Sequence, residues 1–411
     1  MKRFLFTLRA LRYKNFRLFF LGQAISLTGT WMTGTANSWL VYRLTGSAYL
    51  LGVVGFATQF PAFLLAPIAG VYVDRWDKRR LLLICQVFAM LQSFALAIMV
   101  LTHSVSYSAV IFLCLIQGFV NAFEIPCRQS FVVDMIDDKE ALGNAIALNS
   151  SMFNAARMIG PSIAGVIIAV SNEGWCYLID GVSYIAVIAA LAAITVRKKA
   201  APSGKAPSAV AQMREGWSYA YRSVPIRSIV ILIGLVSLVG VPYSVLIPVF
   251  AQKILGGGAD TLGFLMASSG GGAMLGALWL AAREKKTGLG RLVPLGAAMF
   301  GAGLAAFALS RWRGFSMACL VLTGAGFMVQ MASSNTLLQT IVDDDKRGRV
   351  MSLFIMAFLG TAPVGALCAG AIGDRIGAPA TLLMGAAACL AGAAWFAWML
   401  KYSLSSETAL K

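Results

Sequence analysis

Apolar runs of about 20 residues, the length that spans a bilayer as a helix, recur along the whole chain between short charged or Gly- and Pro-bearing breaks. Inside each run the apolar residues are continuous and do not alternate, which predicts helices and not strands. The breaks place spans at 17–41, 48–72, 80–102, 106–127, 145–170 and 175–196. Six more follow at 228–252, 262–282, 292–310, 315–337, 350–372 and 379–400. The pattern predicts an all-α membrane protein with about twelve transmembrane helices. One substantial linker, 197–227, separates a six-helix bundle over 1–196 from a second over 228–411. It opens on Arg197, Lys198, Lys199, Pro202 and Gly204; its later part, Ala209–Tyr221, is amphipathic and predicts a short helix along the membrane surface.

Composition changes the picture by naming the solvent. Of 411 residues 59% are apolar and 12% charged, and the mean hydropathy is +0.77. A soluble domain carries about 25% charge. Lipid is therefore the outer solvent, and hydrocarbon permits only structures that bond every backbone amide internally. The net charge of +17 does not mark a nucleic-acid module, because the basic residues lie in short loops between apolar runs. The termini, the linker and alternate loops hold 28 Lys and Arg. The opposite loops hold five, Arg43, Lys253, Arg311, Arg313 and Arg375. That asymmetry predicts both termini and the linker on the cytoplasmic side of the membrane. The basic, aromatic start leads straight into a full-length span, so no cleavable signal peptide is expected.

Other chemistry is thin. The seven cysteines contain no C-x-x-C pair and most fall in apolar runs, which points to packing and not to metal or disulfides. A single histidine, His103, and no nucleophile–base grouping argue against an enzyme. The run Ser268–Gly272 lacks a following Gly-Lys pair, so no phosphate loop couples the chain to ATP.

The two halves echo each other. Asp134, Asp137, Asp138 and Lys139 follow the fourth span; Asp343, Asp344, Asp345 and Lys346 follow the tenth. Matching loops on two six-helix halves suggest a parallel-repeat transporter with its substrate path between them. Between the second and third spans lie Gly70, Asp74, Arg75, Asp77, Lys78, Arg79 and Arg80. This resembles the signature loop of the major facilitator superfamily; the bland alternative is a basic loop with incidental acids. The resemblance implies a latch in which Asp74 meets the N-terminus of the eleventh span and Arg79 reaches Asp134. Gly70 would let the second span press on its neighbour. Further segments, Gly29–Met32, Trp39–Ser47, Ala122–Gln129 and Asn144–Ser150, resemble one branch, the transmembrane secretion effectors. That branch lies near the third drug:proton antiporter family and is similar to enterobactin exporters and macrolide efflux proteins. In the fifth span Gly160, Pro161 and Gly165 resemble an antiporter motif, which implies export. An ordinary proline kink is the alternative.

Three ionisable residues fall within spans: Glu124, Arg157 and Asp180. A charge at the bilayer centre costs at least about 2.5 kcal/mol, so each must face protein or water. On one reading Arg157 lines the cavity and binds an anionic or polar substrate, while Glu124 or Asp180 carries a coupling proton. On the other they form an ion-pair network, with Glu124 and Arg128 paired at i,i+4. Trp31, Asn37, Gln117, Asn121, Tyr243, Gln330 and Asn335 are softer cavity candidates, or polar contacts between helices. The chain departs from many proton-coupled relatives: no acid lies between Arg17 and Arg43, and the second half has no carboxylate deep in a span. Proton coupling thus rests on the resemblance. No cofactor beyond a proton gradient is expected, and a monomer is. The resemblance implies a transporter exporting a siderophore, drug-like amphiphile or other metabolite by alternating access. Lipid or lysolipid movement, uptake, and a transport-dead sensor stay open.

Overall fold

A computed structural model describes residues 9–136, 138–194, 209–283, 288–343 and 346–409. It is helical throughout, with no strand among the described residues. Six helices come first: α1 (Lys14–Thr45), α2 (Ala48–Arg75), α3 (Lys78–Leu101), α4 (Tyr107–Asp134), α5 (Lys139–Val170) and α6 (Glu173–Ala193). A shorter helix, α7 (Ala209–Arg222), occupies the later part of the linker. Then come α8 (Val224–Ile254), α9 (Ala259–Ala281), α10 (Leu289–Leu309), α11 (Arg313–Ile341), α12 (Arg347–Ile376) and α13 (Ala378–Ala409).

Local chemistry sets the ends. Asp77, Ser106 and Asn172 each accept a backbone N–H of the next helix, at Arg80, Ala109 and Gly174. Gly46, at φ 64°, closes α1 in the left-handed conformation that glycine adopts without strain. Most helices overrun the expected spans, by about two turns where α4 reaches Asp134 and by somewhat more where α13 reaches Ala409. The apolar run reports hydrocarbon thickness, and the helix continues beyond it.

Eleven helical segments among the described residues are long and apolar enough to cross a membrane. The twelfth rod, α1, spans 32 residues but is more polar. Its Gln23, Ser26, Thr33, Thr35 and Asn37 are buried, so these polar groups face protein and not lipid. One departure from the expected plan is in α8, which contains π turns at Val236–Gly240 and Phe250–Ile254. Each shifts the hydrogen-bond ladder by a residue. The hydroxyl of Thr361 on α12 donates to the Gly234 carbonyl at 3.2 Å, and that of Ser237 to the Phe358 carbonyl at 2.5 Å. Side chains thereby bond backbone groups near the bulge, as hydrocarbon demands.

Contacts divide the chain into two compact units. The first comprises 1–46, 57–204 and 258–267; the second 47–56, 205–257 and 268–411. The first unit is built around α6, which packs against α1 and α3. Its core gathers Phe16, Phe19, Leu82, Phe131, Val187 and Leu191. In the second, α10 packs on α11 and α13. Glycine lets the backbones of α10 and α11 approach: Gly296 faces the Gln330 amide and Gly326 the Phe300 amide. The Ser268–Gly272 run serves the same end, with Gly272 against the Val321 carbonyl. On α7, Glu215 pairs with Lys346 at 2.6 Å and with Arg349, and the Tyr219 hydroxyl donates to Asp343 at 2.9 Å. Trp217 and Tyr221 stay exposed on the same helix, the amphipathic arrangement expected of it.

Candidate functional site

A cavity of about 290 Å³ opens within the first unit, among α1, α3, α4, α5 and α6. Its wall is part aromatic, from Trp31, Phe153 and Tyr184, and part polar, from Gln23, Gln86, Gln117, Asn121, Glu124 and Arg128. The Trp31 and Phe153 rings meet edge to face, 5.6 Å between centroids. Glu124 and Arg128 lie one turn apart on α4, with Arg128 Nε 2.9 Å from Glu124 Oε1 and both side chains largely buried. That nitrogen makes an ion pair without the alignment of a hydrogen bond, so its N–H is unspent. Gln117 donates to Asn121 Oδ1 at 3.0 Å. The carbonyl oxygens of Gln86 and Gln117 are buried and have no hydrogen-bond partner among the described residues. Buried polar atoms are normally bonded, so these groups are poised for a molecule that enters.

The three ionisable residues in spans do not meet as a network. Glu124 takes Arg128. The guanidinium of Arg157, on α5, lies 5.8 Å from the centroid of the Trp31 ring, a cation–π contact; Trp31 lines the cavity and Arg157 stands behind it, outside the lining residues. Asp180, on α6, is buried and pairs with no cation among the described residues. Its Oδ2 accepts the hydroxyls of Thr33 and Ser93, each at 2.8 Å, while Oδ1 has no hydrogen-bond partner among the described residues. Gly29 faces that oxygen, and a Cβ there would collide with it.

The softer candidates separate. Trp31, Gln117 and Asn121 line the cavity. Asn37 instead accepts the Tyr177 hydroxyl at 2.8 Å, a contact that ties α1 to α6. Three belong to the second unit. There Tyr243 bonds Ser269 at 2.5 Å, Asn335 accepts from Gln339 at 3.0 Å, and Gln330 is fully buried with neither amide atom partnered among the described residues. Gln86, Tyr184 and Phe153 were not singled out by sequence; Gln86 carried the same signal as Gln117, an amide inside an apolar run.

The latch residues need one correction. The packing of Gly70 and the side chains of Asp74 and Arg75 lie outside the described residues. Arg79 does not reach Asp134. Lys78 does, at 2.7 Å, and Arg79 donates to the carbonyls of Leu191 and Ala192 at 2.6 and 2.5 Å. The last turn of α6 offers carbonyls without helical partners and the negative end of its dipole, which draw a guanidinium. Adjacent residues at the start of α3 point about 100° apart, so the acid falls to Lys78. On α5, Gly160 packs against α1 at Thr28 and Trp31. Gly165 and the Pro161 carbonyl face Gly263 on the opening turns of α9.

Twelve long helical rods among the described residues, with a polar, partly charged cavity among the first six, have the fold of the major facilitator transporters. A bacterial homologue of the lysosomal transporter Spinster, in an inward-facing occupied form, has this fold. It aligns over 95% of this chain and 97% of its own, with a TM-score of 0.75 at 12% identity. The nucleoside transporter NupG aligns over 95% and 99%, with a TM-score of 0.70 at 16% identity. The chain belongs to the transmembrane secretion effector family, whose family model matches residues 6–408. It is similar to the staphyloferrin A transporter of Staphylococcus aureus, 28% identical over 88% of this chain and 90% of that one. Macrolide efflux protein A of Streptococcus pyogenes is 22% identical over 89% and 92%. The enterobactin exporter EntS of Shigella boydii is 24% identical over 87% and 85%. The family and these relatives are transporters, not enzymes.

Proposed function

We propose that the chain exports a small polar or amphiphilic molecule by alternating access, driven by proton antiport. It lies in the bacterial inner membrane with both termini in the cytoplasm, as the distribution of Lys and Arg supports. The observation that carries the reading is the first-unit cavity, where unpartnered Gln86 and Gln117 oxygens share a wall with the Glu124–Arg128 pair. A molecule with hydroxyl or amide donors satisfies those oxygens and stacks on Trp31, Phe153 and Tyr184. Arg128 and Arg157 favour an anionic portion. Siderophores, macrolide-like amphiphiles and related metabolites have this chemistry, and relatives carry staphyloferrin A, enterobactin and macrolides by name.

Asp180 carries the coupling proton. An uncompensated carboxylate among helices in hydrocarbon is costly, and a proton on Oδ1, the oxygen without a partner, removes that charge. Glu124 acts in the cavity with Arg128.

Liposomes containing the purified protein test both assignments, using a panel of siderophores and dyes. Asp180→Asn should abolish accumulation driven by a proton gradient while leaving substrate exchange at equal pH. Glu124→Gln should impair exchange as well. Proton-driven accumulation that survives Asp180→Asn would remove Asp180 from the mechanism. A protonophore without effect on any exported compound would remove antiport itself.

A further inference from the structure

Ala69, Gly70, Asp74 and Arg75 close α2. The same pattern, Ala-Gly, three residues, Asp-Arg, returns at the end of α12 as Ala369, Gly370, Asp374 and Arg375. No other Asp-Arg pair occurs in the chain. The second copy has its partner in hand. Asp374 Oδ1 accepts the Ala48 N–H at 2.6 Å; Oδ2 accepts the Tyr49 N–H at 3.0 Å and the Ser47 hydroxyl at 2.7 Å. These amides are among the orphan donors that open α2, where the helix dipole also favours an anion.

A cap for α2 already exists locally, since Ser47 Oγ accepts the Leu50 N–H at 3.3 Å. A carboxylate brought from the far end of the sequence therefore serves to hold two helix ends together. The seam beneath it agrees. A Cβ at Gly370 would collide with the Ala48 carbonyl, and one at Gly52 with the Ala366 carbonyl. The start of α2 and the end of α12 thus lie backbone to backbone, clasped by three charge-assisted hydrogen bonds. Water can replace each of those bonds when the seam parts, so the clasp is strong enough to bias a state and weak enough to release.

We infer that Asp374 is a positioning residue of the transport cycle. It clamps the start of α2 to the end of α12 in the conformation described here, and that seam opens only when the carboxylate lets the α2 amides go. The first motif copy stands at the other end of the same helix, about 40 Å away by helical rise, where the family resemblance implies that Asp74 supplies the opposing lock. One rod thus carries a lock at each end, and the cycle exchanges them. The inference rests on the alternating-access reading.

Full-length protein in lipid nanodiscs tests it through the distance between nitroxides at Tyr49→Cys and Ile376→Cys. Both side chains are about half exposed beside the seam. The exposed native thiol of Cys368 is first replaced by Ser. Asp374→Asn should move the population about tenfold toward the longer distance, the scale expected for losing a carboxylate cap. Asp74→Asn should move it the opposite way, and the double variant should return it toward the starting ratio. A merely structural acid would lower stability without opposed shifts or mutual rescue. Two distances whose ratio ignores Asp374→Asn, or single variants that shift it in the same direction, would overturn the latch alone. One invariant distance at every pH and substrate load would overturn alternating access, and the latch with it. Should Asp374→Asn fail to reach the membrane, Ser47→Ala removes one donor only. It should give a smaller shift of the same sign, and no shift would overturn the inference.

Discussion

In the first unit four ionisable residues lie within the membrane helices in three settings: Glu124 and Arg128 in one ion pair, Arg157 on a ring, and Asp180 on a pair of hydroxyls. In the second, the interiors of α8 and α10 to α13 contain no acidic or basic residue, and buried polarity is carried by neutral side chains such as Gln330, Ser333 and Thr323. The packing differs in step. Gly34 lines the first-unit cavity with nothing within 4 Å of where its Cβ would stand, whereas Gly296 and Gly326 are pressed against backbone. Two bundles of similar length and apolarity thus divide the labour. Charge needs water or a partner within hydrocarbon, so the charged bundle keeps a cavity. In the second, whose helix interiors lack charge, glycine brings α10 and α11 backbone to backbone, and α8 contains π turns.

Three variants would break or sharpen that contrast. The largest effect is expected from Gly326→Leu, whose side chain has only the Phe300 amide and the Gly296 carbonyl to grow into. Overpacking against backbone should cost about 3 kcal/mol or more, read as loss of folded protein after detergent extraction; normal yield would mean the seam is looser than described. Gly34→Leu, the same change in the other bundle, should leave the melting temperature alone. By filling the cavity it should cut transport roughly tenfold or more through steric exclusion, and unaltered transport would place the substrate elsewhere. The smallest effect is Gln330→Met. Replacing an amide with no partner by an apolar side chain of similar size should raise stability by about 1 kcal/mol. A fall in melting temperature would reveal that Gln330 has a partner, and polarity in the second bundle would then need a functional account.

The rods were legible because lipid enforces length and apolarity, and the spans expected from apolar runs coincide with α1 to α6 and α8 to α13 to within a few turns. The Glu124–Arg128 pair was legible too, since i,i+4 spacing is a helix property that needs no tertiary knowledge. Other features depend on partners distant in sequence. Lys78 and Arg79 are adjacent, and only the packing of α3 against α6 decides which takes Asp134. Asp180 read as one member of a possible ion network, yet its partners are hydroxyls on α1 and α3 that no spacing announces. The π turns of α8 were hidden because Pro242 and Pro248 are compatible with an ordinary kink. The repeated Ala-Gly-x-x-x-Asp-Arg pattern was visible in the letters, and its meaning came from the amides Asp374 holds.

The clasp at the start of α2 has a consequence measured in seconds. Ser47 precedes Asp374 by 327 residues. At about 5–20 residues per second of synthesis, roughly 15–65 s separate the emergence of the two. During that interval the first turn of α2 has only Ser47 and whatever water reaches it. The helix enters the bilayer with one end unfinished, and nearly the whole chain must be made before that end is closed.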